Sequence, residues 1–292
     1  MIFNRIDLEQ KVFNAIRDVK PRYLYIAADG ARKNNDADMV KCQKARAIID
    51  QVDWECKVNT LFQADNLGCG PATLTAISWF FDNVEGGIIL EDDDLPNKDF
   101  FYFCEVLLDY YKNVPEILNI GGNNFQYGRK RGPDSYYFSK YAHLFGFATW
   151  RRACAIILPE ANSKPERVKA SWDTLWRKIV DKYGLSITPE VNLVTNIGYG
   201  HSDATCTTYV QRKDYLRGNV PVCPLSFPLR HPGSVKETKV ADNFLRYEYL
   251  WHGIDNEIPQ AMEDTFLFFM GLLPPFIIGL LRVVKRKWLK WY

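Results

Sequence analysis

The first half of the chain alternates short apolar runs with longer segments whose apolar residues recur at helical spacing. Residues 22–28 and 57–62 are rich in aromatic and branched side chains, which is typical of strands. Residues 36–50 and 72–83 carry the helical pattern, and Pro71 suits the start of the second helix because the first turn does not need its missing N–H. The pattern predicts two strand–helix pairs in succession.

The same alternation continues beyond these pairs. Residues 87–90 form a strand too apolar to be exposed on either face, residues 100–111 a helix, and residues 117–120 another strand. Strands separated by helices of this length are joined by right-handed crossovers. We therefore expect an α/β fold, with a mainly parallel central sheet flanked by helices.

The second half of the chain is less regular. Residues 127–139 are polar, basic and contain glycine, which predicts a mobile loop. Residues 172–183 have the pattern of a helix, whereas residues 189–208 show little periodicity. No internal repeat or low-complexity linker is evident.

Composition narrows the classes of function. The 292 residues suffice for one large α/β domain or two small ones, and the net charge of +2 argues against a protein that binds nucleic acid through a large basic surface. The seven cysteines are odd in number and form no CxxC pair, which favours reduced thiols. Residues 1–9 lack the pattern of a secretion signal. We expect a cytoplasmic protein.

Three polar segments directly follow predicted strands, where α/β proteins bind their ligands: residues 29–30, 65–70 and 91–94. The last is a run of four carboxylates, Glu91 to Asp94. Ionising them together at the end of a buried strand is unfavourable unless a cation offsets their field, and carboxylates suit Mg²⁺ or Mn²⁺. The alternative is a solvated acidic turn in which Asn97 or Asp99 caps the next helix.

The acidic run also carries a family resemblance. Residues 88–93 (IILEDD), followed by Asp99-Phe100-Phe101, resemble the EDD and downstream DFF segments of GT-A N-acetylglucosaminyltransferases. The resemblance implies that Asp93 ligates manganese, with Glu91 beside it, and that Asp92 lies near the ribose of the nucleotide.

Two further segments resemble the nucleotide side of these enzymes. Asp29-Gly30 stands where GT-A enzymes contact the base and ribose, and residues 66–68 resemble an NxG segment of family 2-like transferases. The resemblance implies that Asp29, Gly30, Asn66 and Gly68 bind the nucleotide. A plain turn and a helix start are the alternatives.

A wider set of motifs occurs in one order over roughly residues 20 to 210. The set comprises residues 66–70, 79–81, 88–95, 136–139, 146–152 and 192–200. Together these residues resemble bacterial nucleotide-diphospho-sugar transferases labelled hemolytic-protein-like. The family implies a GT-A domain over residues 15–255, a UDP-sugar donor, and a glycan or lipid-linked acceptor in cell-surface polysaccharide or lipopolysaccharide synthesis. Phe145, Phe147 and Cys206 depart from the family pattern.

An inverting transferase needs a base near the acceptor hydroxyl. Trp172-Asp173 resembles the segment that bears this base, which makes Asp173 the candidate; the alternative is an Asp that interacts with the helix dipole. Trp172 could stack on a sugar, and Arg151 could bind phosphate. His201, or Asp203, stands in a loop where GT-A enzymes often contact metal or phosphate.

The carboxyl-terminal segment, residues 256–292, is apolar and then basic. Residues 266–281 are interrupted by Pro274-Pro275 and are too short to span a bilayer, while residues 282–292 interleave basic and aromatic side chains. This composition predicts peripheral association with anionic lipid at the inner face of the cell membrane. A core helix with a solvated end is the alternative.

Two rival functions fit parts of the pattern. A sugar nucleotidyltransferase shares a similar sheet and also uses acidic metal sites, but residues 29–32 (DGAR) fit its glycine-rich loop poorly. A non-catalytic protein could keep the fold as a sugar-nucleotide-binding or membrane scaffold. The sequence does not fix the oligomeric state.

Overall fold

The computed structural model describes residues 1–202, 220–251, 265, 269 and 271–273. Within these residues no helix is both long and apolar enough to cross a bilayer. His201 and Ser202 close the first range, so Asp203 and Cys206 lie outside the described residues, as does nearly all of the predicted membrane-associating segment.

The amino-terminal quarter contains the predicted strand–helix–strand unit. It comprises α1 (Ile6–Val19), β1 (Tyr23–Ala28), α2 (Asp36–Arg46), a 3-10 turn (Ala47–Gln51) and β2 (Lys57–Phe62). β1 and β2 pair in parallel, from Tyr23 opposite Lys57 to Ala28 opposite Phe62. The sequence pattern did not predict α1. Its Leu8, Val12 and Phe13 are buried, so the folded body includes residues before position 15, where the predicted domain began.

The middle of the chain contains α3 (Cys69–Asn83), β3 (Gly86–Ile89), β4 (Asp94–Pro96), α4 (Lys98–Tyr110) and β5 (Ile117–Gly121). All of them except the short strand β4 were predicted from the sequence. α3 follows Gly68, whose φ of 83° lies in the left-handed region that favours glycine. The Asn97 side chain caps α4 by accepting from Phe100 N at 3.1 Å.

The remaining described elements complete the body. They are β6 (Tyr136–Ser139), β7 (Phe147–Trp150), α5 (Arg151–Asn162), α6 (Pro165–Tyr183), β8 (Leu185–Pro189), β9 (Val194–Asn196) and α7 (Lys239–Trp251). The prediction of a mobile loop over residues 127–139 is wrong at its end, because Tyr136–Ser139 is a buried strand. α6 is kinked at Ser171, so a new helical segment starts at Trp172, as predicted.

The central sheet is mixed, and the expectation of a mainly parallel sheet does not hold for it. Its strand order is β3-β7-β5-β8-β6, and only β5 and β8 pair in parallel. The difference arises because β7 inserts antiparallel between β3 and β5, while β6 pairs antiparallel at the edge. β1 and β2 form a separate parallel pair, and β4 pairs antiparallel with β9.

Helices cover both faces of this sheet, as expected for an α/β fold. One buried cluster joins α3, α5 and α6 through residues such as Phe81, Ile157 and Trp176. The other joins α4 to the segment 225–229 through residues such as Phe103 and Leu229. The two layers hold the ends of β3 and β5 in fixed positions, and the candidate site lies at the end of β3.

Candidate functional site

The acidic run begins immediately after β3, and its last member has a structural role. Asp94 is 1% exposed. Its carboxylate accepts from Gly146 N at 2.9 Å and from Glu91 N at 3.2 Å. Burial, and then the neighbouring Asp93, raise the pKa of Asp94 to about 8. Asp94 therefore fixes the turn on which the other three carboxylates stand.

Arg5 provides a positive charge at this turn. Its Nη1 donates to Asp93 Oδ2 at 2.7 Å, and its Nε donates to Asp92 Oδ2 at 3.1 Å. A second contact joins Arg5 to Asp92 Oδ1, so the guanidinium grips Asp92 with two nitrogens, the strong geometry for such pairs. Burial opposes the charge of Arg5, but Asp92 and Asp93 outweigh it and raise the pKa of the guanidinium.

Arg5 was not predicted from the sequence. The compensating charge was assigned to a divalent ion, whereas in the structure it belongs to the guanidinium of Arg5, the residue that precedes α1. Arg5 lies 88 positions before Asp93 along the chain. No local spacing could have signalled this contact, because it depends on the packing of α1 against β4.

Asp93 is also held from the opposite side of the turn. Asn196 Nδ2 donates to its Oδ1 at 3.0 Å, and Ile197 N donates to its main-chain oxygen at 2.8 Å. A Cβ at Gly198 would lie 2.1 Å from Asp93 Oδ2. Glycine at position 198 thus lets the loop pass directly over the carboxylate.

A cavity of about 300 Å³, called the first cavity below, opens on one side of the acidic run. It brings together the residues predicted to bind a nucleotide, and its wall includes Asp29, Asn66, Gly68 and Asp92. Gly30 is adjacent, and a Cβ there would lie 2.3 Å from the carbonyl carbon of Asp65. The loops that follow the parallel strands β1 and β2 therefore approach each other closely, and together they form one corner of this cavity.

Asp29 organises the corner through its carboxylate. The carboxylate accepts from the backbone nitrogens of Gly30, Leu67 and Gly68 at 2.8, 2.8 and 3.0 Å. It also accepts from Asn66 Nδ2 at 2.9 Å. Four donors match the acceptor capacity of a carboxylate. In this arrangement Asp29 shapes the loop, and nucleotide contact by its carboxylate remains a prediction.

A larger cavity of about 680 Å³, called the second cavity, opens on the other side. Asp93, Trp172, Asp173 and Tyr199 are in its wall. Asp173 follows the kink of α6; its Oδ1 accepts from Ser171 Oγ at 2.5 Å and its Oδ2 pairs with Arg177 at 3.1 Å. Trp172 is 8% exposed and Trp176 is fully buried, so these rings serve mainly the core.

The two cavities share part of their walls. Arg5, Cys69 and Glu91 line both. Burial, followed by the charges of its three acidic neighbours, raises the pKa of Glu91 well above the usual range. The acidic run and Arg5 therefore form a partition, with Asp92 on one side and Asp93 on the other.

Two predicted site residues lie elsewhere. Arg151 lines neither cavity; its Nε donates to Phe81 O at 2.6 Å and its guanidinium pairs with Glu85, which ties α5 to the turn before β3. The phosphate role predicted for Arg151 is therefore not supported. The His201 ring contacts the Asp7 carboxylate at 3.2 Å.

The predicted metal ligands do not form a three-ligand set. Among the residues that the structure describes, no three His, Cys, Asp or Glu side chains converge as metal ligands would. Glu91, Asp93 and His201 thus do not converge on one point in the described arrangement.

Comparison with known proteins gives no family. No protein-family model matches the chain, and no curated protein matches it.

Proposed function

We propose that this protein is a metal-dependent glycosyltransferase of the GT-A type. It transfers a sugar from a nucleoside diphosphate, UDP by resemblance, to a glycan or lipid-linked acceptor, with inversion. The observation that carries the proposal is the meeting of two cavities at one acidic strand end. A transferase needs two such adjoining spaces, because its two substrates must meet in a defined orientation.

The first cavity suits the nucleotide. Gly68 has no Cβ and leaves open space where one would stand, so a ligand can approach the backbone closely. Asp92, a member of the partition, lines this cavity. A diphosphate lying along the partition would meet Arg5, whose guanidinium geometry matches phosphate oxygens.

A divalent ion at this site would be held by a protein carboxylate together with the phosphates of the substrate. Mn²⁺ and Mg²⁺ in transferases are often held by one or two carboxylates together with substrate phosphates, so three protein ligands are not required. Each side-chain oxygen of Asp93 accepts one hydrogen bond from the described residues, although a carboxylate oxygen can accept two. Asp93 also lines the second cavity, next to Glu91 and Arg5. Asp93 would hold the ion, which when bound supplies positive charge to the diphosphate.

The second cavity suits the acceptor, and Asp173 is the candidate base within it. In the proposed reaction, Asp173 accepts the proton of the acceptor hydroxyl while that oxygen forms a bond to the anomeric carbon. The bond from this carbon to the diphosphate oxygen breaks, and its electron pair leaves with the nucleoside diphosphate. Ser171 and Arg177 orient the carboxylate before the acceptor arrives.

Product analysis with two variants tests the proposal. The protein is incubated with UDP-sugars, manganese and a cell-envelope glycan extract, and released UDP is measured. Asp173→Asn should lower the turnover by on the order of 10²–10⁴-fold, as expected for loss of a general base, and should leave stabilisation by UDP and manganese intact. Asp93→Asn should remove the manganese-dependent part of that stabilisation.

Asp109→Asn is the matched control, because Asp109 is an exposed helical aspartate that pairs with a neighbouring cation, Lys112, and lines neither cavity. It should retain turnover. Release of pyrophosphate would indicate a nucleotidyltransferase. Unchanged turnover in Asp173→Asn, with no stabilisation of the wild type by any nucleotide, would favour a non-catalytic scaffold.

A further inference from the structure

The wall of the second cavity that lies away from the acidic run is rich in positive charge. Five cationic side chains line this wall, but only two carboxylates do, those of Asp173 and Asp181. The cationic residues are Lys140, Lys169, Arg177, Lys178 and Arg246. A concave surface with an excess of one sign raises the local concentration of ligands of the opposite sign.

The carboxylates do not neutralise this wall evenly. Arg177 pairs with Asp173 at 3.1 Å, and Lys169 pairs with Glu166 at 3.2 Å. Lys140 is different: its Nζ donates to the main-chain oxygens of Asp181 and Gly184, at 2.7 and 3.0 Å. These carbonyl groups fix the ammonium in place but carry no net charge, so its positive charge is available to a ligand.

Lys178 adds a second cation of this kind on α6. It is exposed, and none of the carboxylates that the structure describes forms an ion pair with it. Lys140 and Lys178 reach the same cavity from different elements, the segment after β6 and the second half of α6. Two separated cations on one concave wall suit a ligand that presents an anionic group at a defined distance from its reacting end.

Aromatic rings also line the second cavity. Tyr141, Phe145 and Tyr199 line the cavity, and the rings of Phe145 and Tyr199 meet edge to face at 6.3 Å. Flat apolar faces beside polar groups are typical of sites that bind ring-shaped polar ligands. The cavity thus combines a place for rings with a basic end.

We propose that the acceptor is an anionic glycan, with a carboxylate or a phosphate that contacts Lys140 and Lys178 while its hydroxyl lies near Asp173. This inference rests on the proposed function and specifies its substrate class. The basic wall explains the orientation, since it attracts the anionic group of the acceptor to the end of the cavity away from the acidic run.

A glycan array tests this inference on the full-length protein saturated with UDP and manganese. The array carries matched sets that differ only in one group: neutral hexose glycans, their uronic-acid counterparts and their phosphorylated counterparts. The charged sets should retain the protein at least tenfold more strongly than the neutral set, and 0.5 M NaCl should reduce the difference. The two charged arms distinguish a carboxylate ligand from a phosphate ligand.

Lys140→Gln and Lys178→Gln should each lower the preference for charged glycans about three- to tenfold without changing stabilisation by UDP. Lys182→Gln is the control for general surface charge, because Lys182 is exposed on the same helix, pairs with Glu160 and lies outside the cavity. The inference would be overturned if neutral and charged glycans were retained equally, or if charged glycans were not retained. It would also be overturned if all three variants had equal effects. If UDP binding and UDP release persist in that case, only the inference about the acceptor fails, and the proposed glycosyltransferase function is retained.

Discussion

Glu9 differs from the other buried carboxylates near the site because no described group donates to it. It is 3% exposed, and both of its oxygens lack a hydrogen-bond partner among the described residues. Burial, and then the charge of Asp92, raise the pKa of Glu9 to about 8, against the opposing effect of the terminal amine. A neutral Glu9 is therefore the form that suits this position.

The direction in which stability changes with pH follows from the pKa of Glu9 in the unfolded and in the folded protein. The unfolded chain releases the Glu9 proton near pH 4.5 and the folded protein near pH 8, so between these values the folded state binds more protons. The free energy of unfolding must then fall as the pH rises through this window. The loss from Glu9 alone is on the order of 2–4 kcal/mol between pH 5 and pH 8.

Glu9→Gln should remove this contribution. Urea unfolding at pH 5 should give similar stability for the variant and the wild type, because glutamine resembles the neutral acid. At pH 8 the variant should be more stable, by an amount that grows with pH. A difference that stays constant from pH 5 to pH 8 would contradict the assignment.

Some single residues of the site could be predicted from the sequence and others could not. Asp29, Asn66 and Gly68 were predicted because they follow strands, and the parallel pairing of β1 and β2 brings such loops together. The sequence could not show that backbone nitrogens already satisfy the Asp29 carboxylate. It also could not show that Arg5 reaches Asp92 and Asp93, because that contact depends on tertiary packing.

At the scale of elements, the loop corner between β1 and α3 depends on one close backbone approach. Gly30→Ala would place a Cβ 2.3 Å from the Asp65 carbonyl carbon, which is main chain and cannot rotate away. The variant should lose about 1–3 kcal/mol of stability, the usual range for overpacking, and should bind UDP more weakly. Chemical denaturation and a UDP titration measure the two effects.

Gly233→Ala provides the control for that experiment. No atom lies within 4 Å of the position of its added Cβ, so its stability should stay within about 0.5 kcal/mol of the wild type. Equal losses in both variants would show that the effect comes from glycine replacement in general and not from the corner.

Apart from α1 and β4, the elements of the first half were predicted from the sequence pattern, whereas β6 and β7 were not. β6 ends a segment whose earlier residues are polar and basic, so its four buried residues were absorbed into a predicted loop. β7 is also only four residues long, too short for a period to emerge. Both strands owe their conformation to partners in the sheet, which the local pattern does not contain.

At the scale of the whole molecule, α/β class followed from the sequence but sheet direction did not. Strand–helix alternation predicts crossovers, and β1 and β2 obey it. The central sheet departs from it because β7, from the irregular half, occupies the place beside β3. The alternation of strands and helices in the first half cannot show that β7, from a distant part of the chain, pairs antiparallel with β3.

The carboxyl-terminal segment carries the prediction that belongs to this scale. Among the few described residues of this segment, Phe269 and Leu272 are exposed, at 58% and 66%. If residues 282–292 bind anionic lipid, their deletion should move the protein from the membrane fraction to the soluble fraction of a lysate. Replacing only the basic residues 282, 285, 286, 287 and 290 by glutamine should do the same. Unchanged partitioning in both variants would contradict membrane association.

Two members of the partition, Arg5 and Glu91, line both cavities and affect the expected kinetics of the proposed reaction. Because these residues face both cavities, a donor bound in the first becomes part of the surface that the second presents. The acceptor would then meet a complete binding surface only after the donor is in place. Initial-velocity patterns should consequently follow a compulsory order, with the sugar nucleotide entering first and its diphosphate leaving last.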